Sequence, residues 1–210
     1  VHDEKSTYNA SVYAQLQFLK SESNNGAAAR LQNDYPEGYV LFYSIYGLTW
    51  AEFIKNLKKD NDKYEEGISE IEKSLTALKD SITLSRFHQN LPLEYGAFYR
   101  GWTNYLLGKY LDILPSKNKK KQDVLTFKKN CSDIACALDK YKHPFLETYT
   151  ESSWPADVVV AMASLKLHDN LFDDEYAKSI NKWMSDIMSH LDPDTDLIPH
   201  LIDGNSGRML

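Results

Sequence analysis

The sequence predicts an all-α fold in which two kinds of helix alternate along the chain. Apolar residues recur at steps of three and four over long stretches, as they do on one face of a helix, whereas the alternating pattern of strands is weak. Pro36, Pro92, Pro155 and Pro199 each stand at or near an expected helix start, with an ionisable residue close behind. Together these observations predict a repeated helical hairpin.

The first kind of helix, which we call outer, carries a single apolar stripe and is expected to bury one face. The clearest stripe is Tyr64, Ile68, Ile71, Leu75, Leu78 and Ile82, in a helix predicted over residues 62–87. Three further outer helices are predicted over residues 4–20, 122–141 and 174–190. Their charged faces are expected to meet solvent.

The second kind, which we call inner, is apolar nearly all round and is predicted over residues 39–57, 95–114 and 156–171. Such helices are buried by neighbours on several sides. The alternating order fits either an open solenoid or a closed α/α toroid, in which an inner ring of helices is sheathed by an outer ring. The apolar inner helices favour the toroid, because a solenoid leaves its concave helices partly exposed to water.

The chain is short for a complete ring. Six hairpins at a repeat of about 50–60 residues need roughly 300 residues or more, and this chain has 210. We therefore expect residues 1–210 to form a single all-helical domain that is the N-terminal part of a larger toroid. A missing segment or a second chain would complete it. The chain begins at Val1, and if a signal peptide has been removed, a periplasmic or secreted location is favoured.

Composition excludes several classes of partner. The net charge of −6 argues against nucleic acid, since phosphate binding needs a basic face. No stretch is long and apolar enough to predict a membrane span. The sequence contains no glycine-rich phosphate loop, nucleophile elbow or zinc pattern, so it predicts neither a cofactor nor a metal. Cys131 and Cys136 would point apart on one helix and are interpreted as small apolar residues rather than a disulfide.

The expected site lies where the inner helices begin. The links that lead into them are mostly longer than the links that leave them, and long loops concentrate functional residues. Glu37, Glu94 and Asp157 follow their prolines there. Each acid has an ordinary interpretation, since a carboxylate stabilises the start of a helix. Aromatic neighbours favour a function, because rings stack on sugars while carboxylates transfer protons. Asp157 and Glu94 are the candidates for acid and base.

The residues expected to bind substrate are aromatic or polar and lie near the same helix starts. They are Glu37, Tyr39, Tyr95, Tyr99, Arg100, Trp102, Trp154, His200 and Asp203. A charge inside an apolar helix needs a partner. Arg100 therefore forms a structural ion pair, with Glu94 or with an acid of a neighbouring helix, or binds a substrate carboxylate or phosphate. His200 is a general base oriented by Asp203, or a solvated loop residue.

Two segments resemble a known group of proteins. Asp192-Pro-Asp-Thr-Asp-Leu-Ile-Pro-His-Leu-Ile-Asp203 resembles the Asp-x-x-Thr-Gly-Leu-x-x-His segment of six-hairpin α/α-toroid proteins, such as unsaturated glucuronyl and rhamnogalacturonyl hydrolases. Asp196 stands where those proteins have glycine. Ser-Trp-Pro-Ala-Asp-Val, which contains Asp157, is similar to the start of a toroid inner helix. The resemblance implies a ligand funnel at the inner-helix N-termini, with Asp157 as the catalytic acid or base.

Three functions follow from this pattern. The leading hypothesis is a toroid enzyme that acts on a carbohydrate or similar polyol by hydrolysis or elimination. Its partner would then be a small-molecule or saccharide substrate. The first alternative is a toroid lyase or isomerase acting on an apolar, terpenoid-like alcohol, which would need a dry pocket with one or two polar groups. The second alternative is a non-catalytic helical-repeat binding module, in which an open array holds each acid at its own helix start.

Overall fold

The computed structural model describes residues 8–210, apart from the side chain of Ile82, and confirms that the chain is mostly helical. The helices are α1 (Ala10–Asn24), α2 (Ala27–Asp34), α3 (Gly38–Ile54), α4 (Asp62–Ala77), α5 (Ser81–Leu84), α6 (Gly96–Ile113), α7 (Lys121–Leu138), α8 (Pro155–Leu171) and α9 (Ala177–Met188). Two short strands, β1 (Ser152–Ser153) and β2 (Ile202–Asp203), pair antiparallel. None of the helices described is long and apolar enough to cross a bilayer.

The described chain divides into two compact units. The first unit is the chain up to Arg86 together with Lys109–Ser116, and the second unit is Phe87–Gly108 together with Lys117–Leu210. The single domain expected over residues 1–210 stays a prediction. The part of the predicted helix 4–20 that precedes residue 8 lies outside the described residues.

In the first unit, α3 packs against α1, α2 and α4. It buries Val40, Tyr46, Trp50 and Ile54, which share one face of the helix at 3.6 residues per turn. Gly67 of α4 lies against Ile54 and Trp50, where a Cβ would overlap the Ile54 side chain. The absence of a side chain at this position lets the two helices approach closely.

In the second unit, α7 and α9 each pack against α8. Phe127, Cys131 and Ile134 of α7 are fully buried, as is Leu165 of α8. Cys131 therefore agrees with its interpretation as an apolar residue, whereas Cys136 is exposed; neither forms a disulfide. Burial also raises the pKa of the Cys131 thiol to about 12, which leaves it uncharged at neutral pH.

Two predicted boundaries are wrong. The link between the helices predicted over residues 4–20 and 39–57 contains α2, which begins after Gly26 in the left-handed region and opens with three alanines. Alanine is the strongest helix former, and α2 is too short to display a full apolar stripe. The helix predicted over residues 62–87 ends at Ala77, and the backbone turns before α5 although the apolar period continues.

Candidate functional site

Three loops of the second unit meet beside the N-terminal ends of α6 and α8. The Ala97 amide of α6 donates to the Glu147 carbonyl at 2.9 Å, and β1 places Ser152 opposite Asp203 of β2. His88 lies at hydrogen-bonding distance from Thr150, with 2.7 Å between the imidazole Nδ1 and the hydroxyl oxygen. We call residues 88–96, 145–157 and 199–209 the loop cluster.

Glu147 holds the loop cluster together from inside. Its side chain is buried, and its two carboxylate oxygens accept hydrogen bonds from the Tyr141 hydroxyl and the Glu151 amide, both at 2.6 Å. Burial and then the Glu147 carboxylate raise the pKa of Tyr141, so this hydroxyl keeps its proton and donates. Gly204 lies against the Glu147 side chain with no room for a Cβ. The buried Glu147 side chain thus contacts three separate points of the chain, at Tyr141, Glu151 and Gly204.

Asp157 lies in the first turn of α8 and is half-buried. The Thr148 hydroxyl, which is itself buried, donates to Asp157 Oδ2 at 2.6 Å. Pro155 begins the helix, where its missing N–H is not required. Trp154 directly precedes this turn, and its ring meets Tyr149 edge-on with 5.8 Å between centroids. The Asp157 amide donates to the Trp154 carbonyl at 2.9 Å, so the predicted acid and the predicted aromatic residue belong to the same turn.

Glu94 and Tyr95 lie at the entry to α6. Glu94 is exposed. Tyr95 and Gly96 are consecutive residues in the left-handed region, with φ of 68° and 77°. Gly96 touches the Thr148 carbonyl so closely that a Cβ has no room there. Tyr95 meets Tyr99 edge-on at 5.6 Å, and its hydroxyl oxygen lies 3.1 Å from the amide nitrogen of Gln89, which donates to it.

Arg100 has the structural partner that its burial requires. Its guanidinium donates to Asp133 Oδ2 at 2.7 Å and to Asn130 Oδ1 at 3.1 Å, both on α7. Lys129 also binds the Asp133 carboxylate, at 2.6 Å. Burial acts to raise the pKa of Asp133, but the hydrogen bonds from Lys129 and Arg100 hold it below its ordinary value. Of the two interpretations, the ion pair with a neighbouring helix describes the contacts of Arg100.

His200 and Asp203 lie on the third loop of the cluster. His200 is exposed. Asp203 Oδ1 accepts hydrogen bonds from the Ser206 hydroxyl at 2.6 Å and the Ser206 amide at 2.7 Å, and these bonds lower the pKa of Asp203. The carboxylate thereby closes the turn that follows β2. That Asp203 orients His200 as a general base stays a hypothesis.

The structure separates the predicted site residues into groups. The loop cluster holds Glu94, Tyr95, Trp154, Asp157, His200 and Asp203. Tyr99, Arg100 and Trp102 lie farther along α6 in the same unit, where the Trp102 ring is 6.4 Å from that of Phe98. Glu37 and Tyr39 belong to the first unit, at the start of α3.

Sequence reasoning missed several residues of the loop cluster. Glu147, Thr148 and His88 each form a contact there, with partners that include Tyr141, Asp157 and Thr150. An acid that directly follows apolar residues, as Glu147 follows Phe145 and Leu146, is a signal that the carboxylate has a partner. Among residues 8–210, no group of three or more His, Cys, Asp or Glu side chains is placed to hold a metal ion.

Comparisons with models of protein families, with curated proteins and with solved structures find no significant match. The resemblance to six-hairpin toroid proteins therefore stays a prediction from the sequence. Any function for this chain has to be argued from the loop cluster and from the first unit, using the chemistry of the side chains found there.

Proposed function

We propose that the loop cluster is the active site of an enzyme that acts on a saccharide or a similar polyol, by acid–base hydrolysis or elimination. The observation that carries this proposal is the half-buried Asp157 carboxylate, held by Thr148 in the first turn of α8 beside Trp154. A carboxylate fixed by a hydrogen bond, with an aromatic residue in the same turn, suits a ligand with hydroxyl groups and an apolar ring face.

Asp157 is the proposed base. The positive end of the α8 dipole and the Thr148 hydroxyl both favour a negative charge on this carboxylate. Glu94, exposed at the entry to α6, is the proposed acid. Two carboxylates in different surroundings can divide the roles of acid and base between them.

The aromatic residues of the second unit would hold the substrate. Tyr95 and Tyr99 form one edge-on pair, and Tyr149 and Trp154 form another. The many polar groups of the loop cluster fit a hydroxylated ligand better than the dry pocket that an apolar alcohol would need. They favour the polyol hypothesis over the lyase or isomerase alternative.

The α/α toroid is part of this proposal. In it, α3, α6 and α8 are inner helices whose N-termini carry the candidate acids, and α1, α4, α7 and α9 are outer helices. The broad burial of α8, which follows the stripe-bearing α7 in the chain, supports this arrangement.

The test is turnover of oligosaccharides by the wild type and by Asp157→Asn. New reducing ends report hydrolysis, and the ultraviolet absorbance of a new double bond reports elimination. We expect Asp157→Asn to lower kcat by a factor of about 10²–10⁴, the usual contribution of a general acid or base. Asp174→Asn removes an exposed acid of the same unit outside the loop cluster and should leave kcat unchanged.

Two results would change the proposal. Full activity in Asp157→Asn on an identified substrate would contradict the role of Asp157. Saccharide binding without turnover, equal in the wild type and in Asp157→Asn, would favour the non-catalytic binding module instead.

A further inference from the structure

The first unit contains an open depression of about 260 Å³ that the proposed function does not use. It lies between the C-terminal half of α2, the start of α3 and the segment around α5. The residues that matter for its chemistry are polar: Gln32, Asn33, Tyr39, Asp80, Thr83 and Arg86. Small-molecule sites usually have volumes of about 300–1,000 Å³, so this depression suits a ligand of few atoms.

The base and the rim of the depression differ in exposure. We call Thr83, which is buried, and Tyr39, which is half-buried, the base of the depression. Asp80 and Arg86 are exposed and bring opposite charges to the rim. Both positions are held by main-chain bonds of the α5 segment: Leu84 donates to the Asp80 carbonyl at 3.0 Å, and Arg86 donates to the Thr83 carbonyl at 3.2 Å.

Tyr39 gives the base of the depression a neutral hydroxyl. Burial, then Tyr43, and then the negative charge of Asp80 raise the pKa of Tyr39 to about 12. The hydroxyl therefore keeps its proton at neutral pH and can both donate and accept hydrogen bonds. The Tyr39 ring is positioned by its packing against Tyr43, with 4.9 Å between the centroids.

The opposite charges of Asp80 and Arg86 favour a ligand that carries both a positive and a negative group. A ligand with a single charge is attracted by one of Asp80 and Arg86 and repelled by the other, and a neutral ligand forms no ion pair with either. The planar guanidinium of arginine matches a carboxylate, and a carboxylate such as that of Asp80 accepts from an ammonium group. The amides of Gln32 and Asn33 supply donors and acceptors for other polar atoms of the ligand.

We propose that this depression binds a small zwitterion of the free α-amino acid class. Arg86 binds the carboxylate, Asp80 binds the ammonium group, and Tyr39 with the two amides binds the remaining polar atoms. The site lies within the first unit and does not depend on the chemistry of the loop cluster in the second unit.

The first experiment compares ligands of similar size on the intact chain. Thermal-shift screening of the twenty free amino acids identifies binders, and calorimetry then measures their Kd. L-serine is compared with glycerate, which lacks the ammonium group, with ethanolamine, which lacks the carboxylate, and with glycerol, which lacks both. We expect the zwitterion to bind about tenfold or more tightly than either singly charged compound, since each lacks one charge-assisted hydrogen bond, and glycerol to bind most weakly.

The second experiment removes each charge of the depression. Arg86→Gln and Asp80→Asn should each weaken the binding of the best amino acid by about tenfold or more. Arg30→Gln and Asp60→Asn remove exposed charges of the same unit outside the depression and should leave the Kd unchanged. Circular dichroism and Tm confirm that each variant is folded.

Three results would overturn this site. They are no binding by any of the twenty amino acids, binding of glycerol, glycerate or ethanolamine that equals that of L-serine, and unchanged binding in both Arg86→Gln and Asp80→Asn. Asp157→Asn should leave amino-acid binding intact, so failure of this site is distinguishable from failure of the proposed enzyme activity.

Discussion

The two units satisfy their buried carboxylates in different ways. In the first unit, Glu70 accepts from Tyr46 at 2.9 Å and pairs with Lys20 at 3.1 Å, so side chains of separate helices bind one another. In the second unit, Glu147 binds a main-chain amide and Tyr141, and so orders a loop. The first arrangement joins regular helices, whereas the second holds irregular backbone in place.

Backbone strain follows the same division. Among the described residues, the non-glycine residues with positive φ are Tyr95, Glu151 and Asp196, and all three belong to the second unit. A left-handed conformation is unfavourable for residues with a side chain, and it persists only where the surroundings enforce it. Tyr95 and Glu151 lie in the loop cluster. Strain therefore coincides with the candidate active site rather than with the helix-packed region.

The largest expected effect comes from a pair of glycines with similar φ, one in each unit. Gly96, with φ of 77°, abuts the Thr148 carbonyl, whereas a Cβ at Gly26, with φ of 80°, would have only Arg30 Nη1 within 4 Å, at 3.9 Å. We expect Gly96→Ala to lower the free energy of unfolding by roughly 3 kcal/mol or more, since strain and overlap add. Gly26→Ala should cost only about 1–2 kcal/mol. Urea denaturation measures both.

Equal losses in these two variants would contradict the close approach of Gly96 and Thr148. The difference between the losses isolates the overlap, because both substitutions place alanine in the same region of backbone space. The difference in unfolding free energy therefore measures the cost of overlap where Gly96 at the start of α6 meets Thr148 of the loop cluster.

A smaller effect is expected from the buried acids themselves. Glu147→Ala leaves the Glu151 amide and the Tyr141 hydroxyl without their acceptor, which should cost about 2–3 kcal/mol. Glu70→Ala should cost less, about 1–2 kcal/mol, because Lys20 keeps its ion pair with Glu66 at 2.7 Å. Chemical denaturation of both variants at one pH is the measurement.

Glutamine at each position is the matched control. It can accept from the Glu151 amide while it donates to the Tyr141 hydroxyl oxygen, so Glu147→Gln should be milder than Glu147→Ala. If Glu70→Ala lowered the free energy of unfolding as much as Glu147→Ala, the remaining ion pair between Lys20 and Glu66 would not compensate for the lost carboxylate.

The smallest effect is a difference in pH dependence. Burial holds the pKa of His143 below its ordinary value, although the Gly204 carbonyl, 3.2 Å from Nε2, opposes the shift. For Glu66 in the first unit, burial acts to raise the pKa, but hydrogen bonds from Lys20, Gln17 and Tyr13 lower it. Both folded pKa values are depressed, so both contributions to stability are complete at high pH and are lost as the pH falls toward the folded pKa.

The two losses should occupy different pH windows. The His143 contribution should fall as the pH drops below about 6.5, and the Glu66 contribution as it drops below about 4.3, the ordinary values of these groups. Unfolding free energies from pH 8 to pH 3 should show both slopes, with His143→Gln removing the first and Glu66→Gln the second. A slope between pH 7 and pH 5 that is unchanged in His143→Gln would contradict the assignment.

Much of the fold could be read from helical periodicity. The stripes and apolar runs placed α3, α6, α7 and α8 close to their observed bounds, because long helices repeat their burial pattern several times. Periodicity did not reveal α2, which is short, nor the break near Leu78, where the apolar spacing continues across a turn in the backbone. An apolar period reports which residues are buried, and it does not report whether the helix between them is continuous.

The site was predictable only in part. The prolines and acids pointed to helix starts, and the structure places Glu94, Trp154 and Asp157 in one loop cluster. The sequence also required a partner for Arg100, but only the packing of α7 identifies Asp133. Thr148 and Glu147 were missed because their contacts to Asp157, Ala97 and Tyr141 depend on how loops converge. No local pattern encodes such a convergence.

The left-handed conformation of Tyr95 has a consequence for sequence drift. Glycine or asparagine would adopt this conformation at lower cost, so mutation without selection on the ring would tend to replace the tyrosine with one of them. An aromatic residue retained at this position among related chains would record selection for the ring itself rather than for the fold. Position 26 is the reference for that comparison. Glycine adopts a left-handed conformation there too, but a side chain at this position would have space around it.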